Sequence, residues 1–322
     1  MVSNSICELA ANSVQARNRI RDRIYQTPLI PARIVGQDHG AKVLFKAENF
    51  QLTGSFKVRG AMSKISNSSI ETRMITASSG NHGIGASFAS QVFCKNLTVV
   101  LPETVLRSKL EKIKSYGAHV IIHGPQTGAA EQYAQQLVEL DGYTYISPYN
   151  DSDIIAGQGT IGLEILEQCD HVDNVFISMG GGGLISGIGC VIKAFSPRTK
   201  IYGVSAINSK ALAAAMAIGH VVETEHRPTL AEAVAGSIDR ETITLPLAKM
   251  VTDHIIECNE EEILTALKTL AFKENMVVEG SAALALAGFN KVAQNLRGQT
   301  SVILLCGANC DQSVINKIIC EA

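Results

Sequence analysis

Short apolar runs alternate with longer stretches of helical periodicity along almost the whole chain. The runs expected to be strands are 43–47, 74–77, 97–101, 119–123, 143–146, 174–178, 200–204 and 301–305. Several are nearly all apolar, as a parallel strand covered on both faces must be. Helical patterns between them include 107–116, 129–140, 154–167, 184–195, 260–273 and 280–295. Such alternation implies an α/β fold with right-handed crossovers. A chain of 322 residues suits one large or two medium domains, at roughly 100–200 residues each. With no repeat, low-complexity tract or proline-rich linker, a second domain must be built into the first.

Charge removes several function classes. Lys plus Arg number 28 against 30 Asp plus Glu, a net charge of -2, so bulk charge points to no nucleic-acid partner. No stretch approaches the ~20 apolar residues of a membrane-spanning helix. Met1-Val-Ser-Asn-Ser-Ile-Cys-Glu has no basic region leading into an apolar run, so no secretory signal and a cytoplasmic location are expected. The eight cysteines are scattered and are expected to be reduced and mostly buried.

In open α/β sheets, ligands sit beyond the carboxyl ends of the strands. Three residue clusters directly follow expected strands. Met179-Gly180-Gly181-Gly182-Gly183-Leu184 can turn backbone N–H groups towards one point at a helix start, which makes a phosphate cradle. It lacks the Gly-Lys-Ser/Thr ending of a nucleotide P-loop, and no carboxylate ends the next strand to take a ribose. A phosphate monoester on a cofactor fits better than NAD or ATP. Ser78-Ser79-Gly80-Asn81-His82-Gly83 supplies neutral donors for an anion such as a carboxylate, or simply caps a helix. Cys306-Gly307-Ala308-Asn309 could face a ring nitrogen or a metal, or form an ordinary turn. Ser55-Phe56-Lys57-Val58-Arg59-Gly60 follows the first strand at a distance. Burial of Lys57 between apolar neighbours would lower its pKa, as imine formation or proton abstraction requires; the alternative is a surface Lys-x-Arg pair.

Lys57 in Ser-Phe-Lys-Val-Arg-Gly, Asn81 in Ser-Ser-Gly-Asn-His-Gly, the four glycines and Cys306-Gly-Ala-Asn resemble, in order and spacing, the signatures of fold type II pyridoxal-phosphate enzymes. The subgroup they resemble is that of threonine/serine dehydratases and serine racemases. Segments 156–164, 229–231 and 279–282 extend the resemblance, which runs from about Thr27 to the C-terminus. It implies a two-domain, tryptophan synthase β-like fold of mainly parallel twisted sheets flanked by helices. Residues 1–67 plus 150–322 would form the large cofactor-binding domain and 68–149 a small mobile domain. Pyridoxal 5'-phosphate would lie between them. Lys57 would carry it as a Schiff base and act as base on one face, and Phe56 would pack beside the ring. Asn81 would hydrogen-bond the ring's 3′ oxygen, the backbone of Gly180, Gly181, Gly182, Gly183 and Leu184 would hold the phosphate, and Cys306 would face the pyridine nitrogen. Ser78, Ser79, Gly80, Asn81 and His82 would receive the substrate carboxylate. Ser79 also matches the serine that serves racemases as base on the opposite face.

The implied activity is ammonia-lyase elimination from L-threonine or L-serine, giving a 2-oxo acid and ammonia. The alternatives are a serine (or related amino acid) racemase, and a dehydratase for a less usual β-hydroxy amino acid such as those of hydroxyectoine breakdown, which share the look of 229–236. A neutral Cys306 would leave the ring nitrogen unprotonated and favour elimination over transamination. Ser205 stands where racemases place the first glutamate of a divalent-cation site, and Asn208-Ser-Lys-Ala-Leu lacks the acid that follows, so no metal is expected. Gly280 in place of proline, and Tyr149 after Pro148, fall near expected pocket loops. The chain ends soon after Cys306, so no regulatory domain and no feedback by isoleucine are expected. The expected partners are an amino-acid substrate and a second copy of the chain, in a homodimer or larger homo-oligomer.

Overall fold

The computed structural model describes residues 2–312 with 315 and 316; the side chains of 2–4 are not described. In chain order the strands are β1 (Leu29–Pro31), β2 (Lys42–Lys46), β3 (Met74–Ala77), β4 (Leu97–Leu101), β5 (His119–Ile122), β6 (Thr144–Tyr145), β7 (Asn174–Ser178), β8 (Lys200–Ala206), β9 (His254–Cys258) and β10 (Thr300–Leu304). The helices are α1 (Val2–Ile20), α2 (Lys57–Asn67), α3 (Asn81–Val92), α4 (Arg107–Ser115), α5 (Thr127–Asp141), α6 (Ser152–Gln168), α7 (Gly183–Phe195), α8 (Ala211–Ile218), α9 (Thr244–Val251), α10 (Glu260–Lys268) and α11 (Gly280–Val292).

The fold is α/β, as expected. One sheet runs β1-β2-β10-β7-β8-β9 and the other β5-β4-β3-β6. Every pairing is parallel except β1 with β2. The smaller sheet is drawn entirely from chain between β2 and β7. Strands β3, β4 and β7 are buried along their whole length, which explains their largely apolar sequences. Expected strands correspond to β2–β8 and β10 within two residues at each end.

Two strands had no sequence signal. β1 is a short antiparallel edge containing Pro31, a residue that weakens any strand reading. β9 is the other edge, with its first two residues exposed and polar residues among its apolar ones. The helix expected over 260–273 ends at Lys268 and continues as a π-helical turn, Thr269–Lys273. That expected over 280–295 ends at Val292, before a 3-10 turn. Among the described cysteines Cys190, Cys258 and Cys306 are buried, while Cys7 and Cys94 are exposed and Cys169 and Cys310 half-buried. The expectation of mostly buried thiols therefore fails, because surface helices and turns carry the rest. Cys320 lies outside the described residues.

A buried ion cluster sets α2 against the first sheet. The Arg59 guanidinium donates to both carboxylates of its neighbours: Nε to Glu48 Oε2 (2.7 Å), Nη1 to Glu164 Oε1 (2.6 Å) and Nη2 to Glu164 Oε2 (2.8 Å). Lys46 Nζ donates to Glu164 Oε2 as well (2.5 Å). Two cations and two carboxylates thus balance in the interior, where an unpaired charge would cost several kcal/mol. The cluster lies two residues along α2 from Lys57.

Candidate active site

The carboxyl ends of β3, β7 and β10 open onto one cavity of about 1280 Å³, and the N-termini of α2, α3 and α7 point into the same region. All four sequence clusters line it: Phe56 and Lys57, Ser78 to His82, Gly180 to Leu184, and Cys306.

The glycine loop is built by close packing as much as by flexibility. A Cβ on Gly181 would lie 2.4 Å from the Tyr149 ring, and one on Gly182 would lie 2.9 Å from Thr244. Gly182 precedes α7 with φ of 89°, and no side chain caps the helix. The first N–H groups of α7 are therefore left for a ligand, with the positive end of the helix behind them. Thr244 Oγ1 donates to the Gly181 carbonyl (2.7 Å), which steadies the loop.

The Ser78 cluster resolves the same way. Gly80 is the N-cap of α3 and no side chain caps it, so the serines are not there as caps. Ser78 Oγ accepts from the Gly80 N–H at 3.3 Å. A Cβ on Gly83 would lie 1.8 Å from the Ser78 carbonyl oxygen, so only glycine permits the tight turn. The His82 ring makes the structural hydrogen bond that a histidine beside a turn most often makes. Its Nε2 is engaged with the Ile146 carbonyl (2.9 Å), and burial, aided by Lys57, lowers its pKa to about 3. Its ring is therefore uncharged.

Lys57 opens α2 and is no surface Lys-x-Arg pair. Its Nζ donates to the Pro148 carbonyl (2.7 Å) and lies 5.3 Å from the Phe56 ring centre. Removal from water lowers its pKa to about 8, against the opposing pull of Cys306 and Glu279. Cys306 is buried, and loss of hydration pushes its thiol well above the usual range, so it faces the cavity uncharged. Asn81 Nδ2 donates to both oxygens of Glu279 (2.9 and 3.0 Å), and its Oδ1 accepts from Asn309 Nδ2 (2.6 Å).

Sequence reasoning left Glu279, Thr244 and Asn309 without a role. Glu279 did carry a signal: it is a lone charge in the apolar stretch Met276-Val-Val-Glu-Gly-Ser-Ala-Ala, and it is buried. Thr244 carried none, because its role depends on an approach to Gly181 from 63 residues away. Ser178, at the end of β7, lines the cavity with a buried hydroxyl that has no hydrogen-bond partner among the described residues. Among the described residues no group of three His, Cys, Asp or Glu is arranged to hold a metal, and no helix is long and apolar enough to cross a membrane.

An amine of lowered pKa, a helix-headed cradle that a Cβ would fill, and a neutral thiol surround one cavity. These residues fit a phosphorylated aldehyde cofactor. The family model described as "Pyridoxal-phosphate dependent enzyme" matches residues 20–307. L-threonine ammonia-lyase of Thermotoga maritima is 36% identical over 309 residues, spanning 95% of this chain and 76% of that protein. Among solved structures, the processed form of threonine deaminase isoform 2 from Solanum lycopersicum superposes with a TM-score of 0.93 at 30% identity, over 98% of this chain and 92% of the other. Maize serine racemase gives 0.88 at 27% identity, over 97% and 96%.

Proposed function

The chain belongs to the pyridoxal-phosphate dependent enzyme family, and we propose that it is an ammonia-lyase converting L-threonine or L-serine to a 2-oxo acid and ammonia. The observation that carries the reading is Lys57, an amine of lowered pKa in the same cavity as the Gly180–Gly183 cradle. The similarity to L-threonine ammonia-lyase and threonine deaminase supports the substrate class.

Pyridoxal 5'-phosphate, when bound, supplies an aldehyde that captures amines and a ring that draws electrons from the substrate Cα. The chain's own groups do the rest. Backbone donors at the head of α7 hold the phosphate, and those at the head of α3, with Ser78 and Ser79, orient the substrate carboxylate. Asn81 would donate to the ring oxygen, and Phe56 would pack beside the ring. Lys57 would hold the cofactor at rest and take the Cα proton at its Nζ; in the cofactor-free protein its pKa of about 8 leaves a usable fraction neutral near physiological pH. Cys306 offers the ring nitrogen no charge, which favours loss of the β-hydroxyl over transamination. The enamine released hydrolyses in water to the 2-oxo acid and ammonia.

We extend the proposal to organisation: residues 1–67 with 150–322 act as the large domain, and 68–149 as a small domain that closes over substrate and excludes water. The separate four-stranded sheet within 68–149 supports that division. A homodimer or larger homo-oligomer in the cytoplasm completes the reading.

A second reading is isomerisation. Ser79 lines the same cavity as Lys57, and maize serine racemase supports it. A panel of L- and D-β-hydroxy amino acids, followed for 2-oxo acid and for inverted enantiomer, separates the two. Oxo-acid formation from L-threonine or L-serine is expected to dominate; inversion without oxo acid would replace the lyase reading, and neither product from any of them would end both.

A further inference from the structure

We infer that Glu279 and Asn309 are positioning residues that hold the Asn81 carboxamide in a single orientation, leaving one of its N–H groups for the cofactor's ring oxygen, and that Lys112 anchors this relay. The inference rests on the reading of Asn81 as a cofactor-binding residue.

A carboxamide can flip, so what fixes it is the polarity of its neighbours. At one end of the relay stands the Lys112 ammonium of α4, which can only donate; it does so to Asn309 Oδ1 (3.1 Å). Asn309 Nδ2 must then point the other way, and it donates to the Thr53 carbonyl (2.9 Å) and to Asn81 Oδ1 (2.6 Å). With its Oδ1 taken by Asn309, Asn81 turns Nδ2 to Glu279, whose two carboxyl oxygens accept at 2.9 and 3.0 Å. The Asn309 backbone N–H also donates to Glu279 Oε2 (3.2 Å). Each link sets the next, starting from the obligate donor Lys112. Both Glu279 oxygens lie near the same Asn81 nitrogen, the arrangement of one shared N–H, which leaves the second unclaimed.

Glu279 is placed for this task at some cost. It is the N-cap residue of α11, where an acidic side chain would ordinarily bond its own helix, yet it makes no such bond. Instead it reaches across the cavity wall to Asn81. A buried carboxylate needs a compensating network, and the network it has is this relay. Lys109 of α4 pairs with Asp311 alongside (2.9 Å). The relay is therefore complete only while α4, beside the smaller sheet, is seated on the segment after β10.

The test compares cofactor affinity and the absorption spectrum of bound pyridoxal 5'-phosphate across pH in the wild type, E279Q, N309A and K112M. E279Q faces one of two donors with an amide NH2, and N309A removes the relay while leaving the Glu279 carboxyl in place. Each is expected to weaken cofactor binding about tenfold, the scale of a hydrogen bond to a charged group. Both should shift the absorption maximum or its pH midpoint in the same sense, K112M less so, and E279D should restore part of the wild-type spectrum. Wild-type spectra and affinity in both E279Q and N309A would overturn the inference while leaving the cofactor reading intact. If those two variants do not fold, K112M decides, a shift supporting the relay and an unchanged spectrum overturning it. A wild-type protein that acquires no chromophore would remove the cofactor reading itself, and the relay with it.

Discussion

Lys57 Nζ lies 2.7 Å from the carbonyl oxygen of Pro148, so the amine that opens α2 is tied to the segment that enters α6. That bond orients Nζ in the resting chain, and it must be released or rearranged when the amine takes up a covalent partner. Tyr149, the next residue, packs over Gly181. One short segment therefore contacts both the amine and the phosphate cradle.

The lowered pKa of Lys57 has two consequences in the cofactor-free protein. Capture of pyridoxal 5'-phosphate needs the neutral amine, so its rate should rise with pH through about 8 and level off well below 10.5. Stopped-flow absorbance checks this. Between those two values the unfolded chain binds a proton that the folded chain has lost, so this group makes stability rise with pH across that window. Lys57→Ala should remove covalent capture and lower turnover by at least about a hundredfold, the scale of a lost acid–base group.

Arg59→Ala should be among the most damaging substitutions outside the cavity. It strands Glu48 in the interior and leaves Glu164 with Lys46 alone, and breaking a buried pair in this way costs about 3–5 kcal/mol. Denaturant unfolding measures it. Burial works against the Glu48 carboxylate, but Arg59 outweighs it and holds the pKa low. Its contribution is thus present above the ordinary carboxylate range and lost as pH falls below it, so the stability gap between wild type and variant should narrow in acid.

Gly181→Ala places a methyl group 2.4 Å from the Tyr149 ring. Either the ring or the loop must move, at about 1–3 kcal/mol. The loss should show mainly as weaker cofactor binding, measured by equilibrium dialysis, with secondary structure unchanged by circular dichroism. Shrinking the ring in Gly181→Ala/Tyr149→Ala should recover part of it.

Cys306→Ser keeps an uncharged group at the end of β10 and should retain elimination. Cys306→Asp offers a carboxylate to the ring nitrogen and should raise transamination side activity, seen as accumulation of pyridoxamine phosphate during turnover. No change in that product would remove Cys306 from its assigned place.

Ser79→Ala separates the two chemistries. Inversion of configuration should disappear while most elimination from the L-enantiomer survives; parallel loss of both would make Ser79 a carboxylate-binding residue and nothing more.

The sequence made the interior strands legible because burial on both faces writes itself as a largely apolar run, as in β3, β4 and β7. Edge strands β1 and β9 have no such constraint, and α2 and α3 begin inside the Lys57 and Asn81 motifs, where glycines 60, 83 and 85 blur the helical pattern. The site was legible as local motifs, each at the end of a strand. Its connections were not. Glu279 meets Asn81 across 198 residues and Asn309 meets Thr53 across 256, and periodicity carries no information about which distant polar groups the fold will pair. His82 was legible only as a type: a histidine beside a turn is usually a structural hydrogen-bonder, and only the fold names its partner, the Ile146 carbonyl.

Borohydride reduction of the purified holoenzyme, followed by peptide mass mapping, tests the central claim most directly. A pyridoxyl adduct on the Lys57 side chain, and on no other lysine, is the predicted result. A yellow, active preparation whose Lys57 remains unmodified after reduction would contradict it.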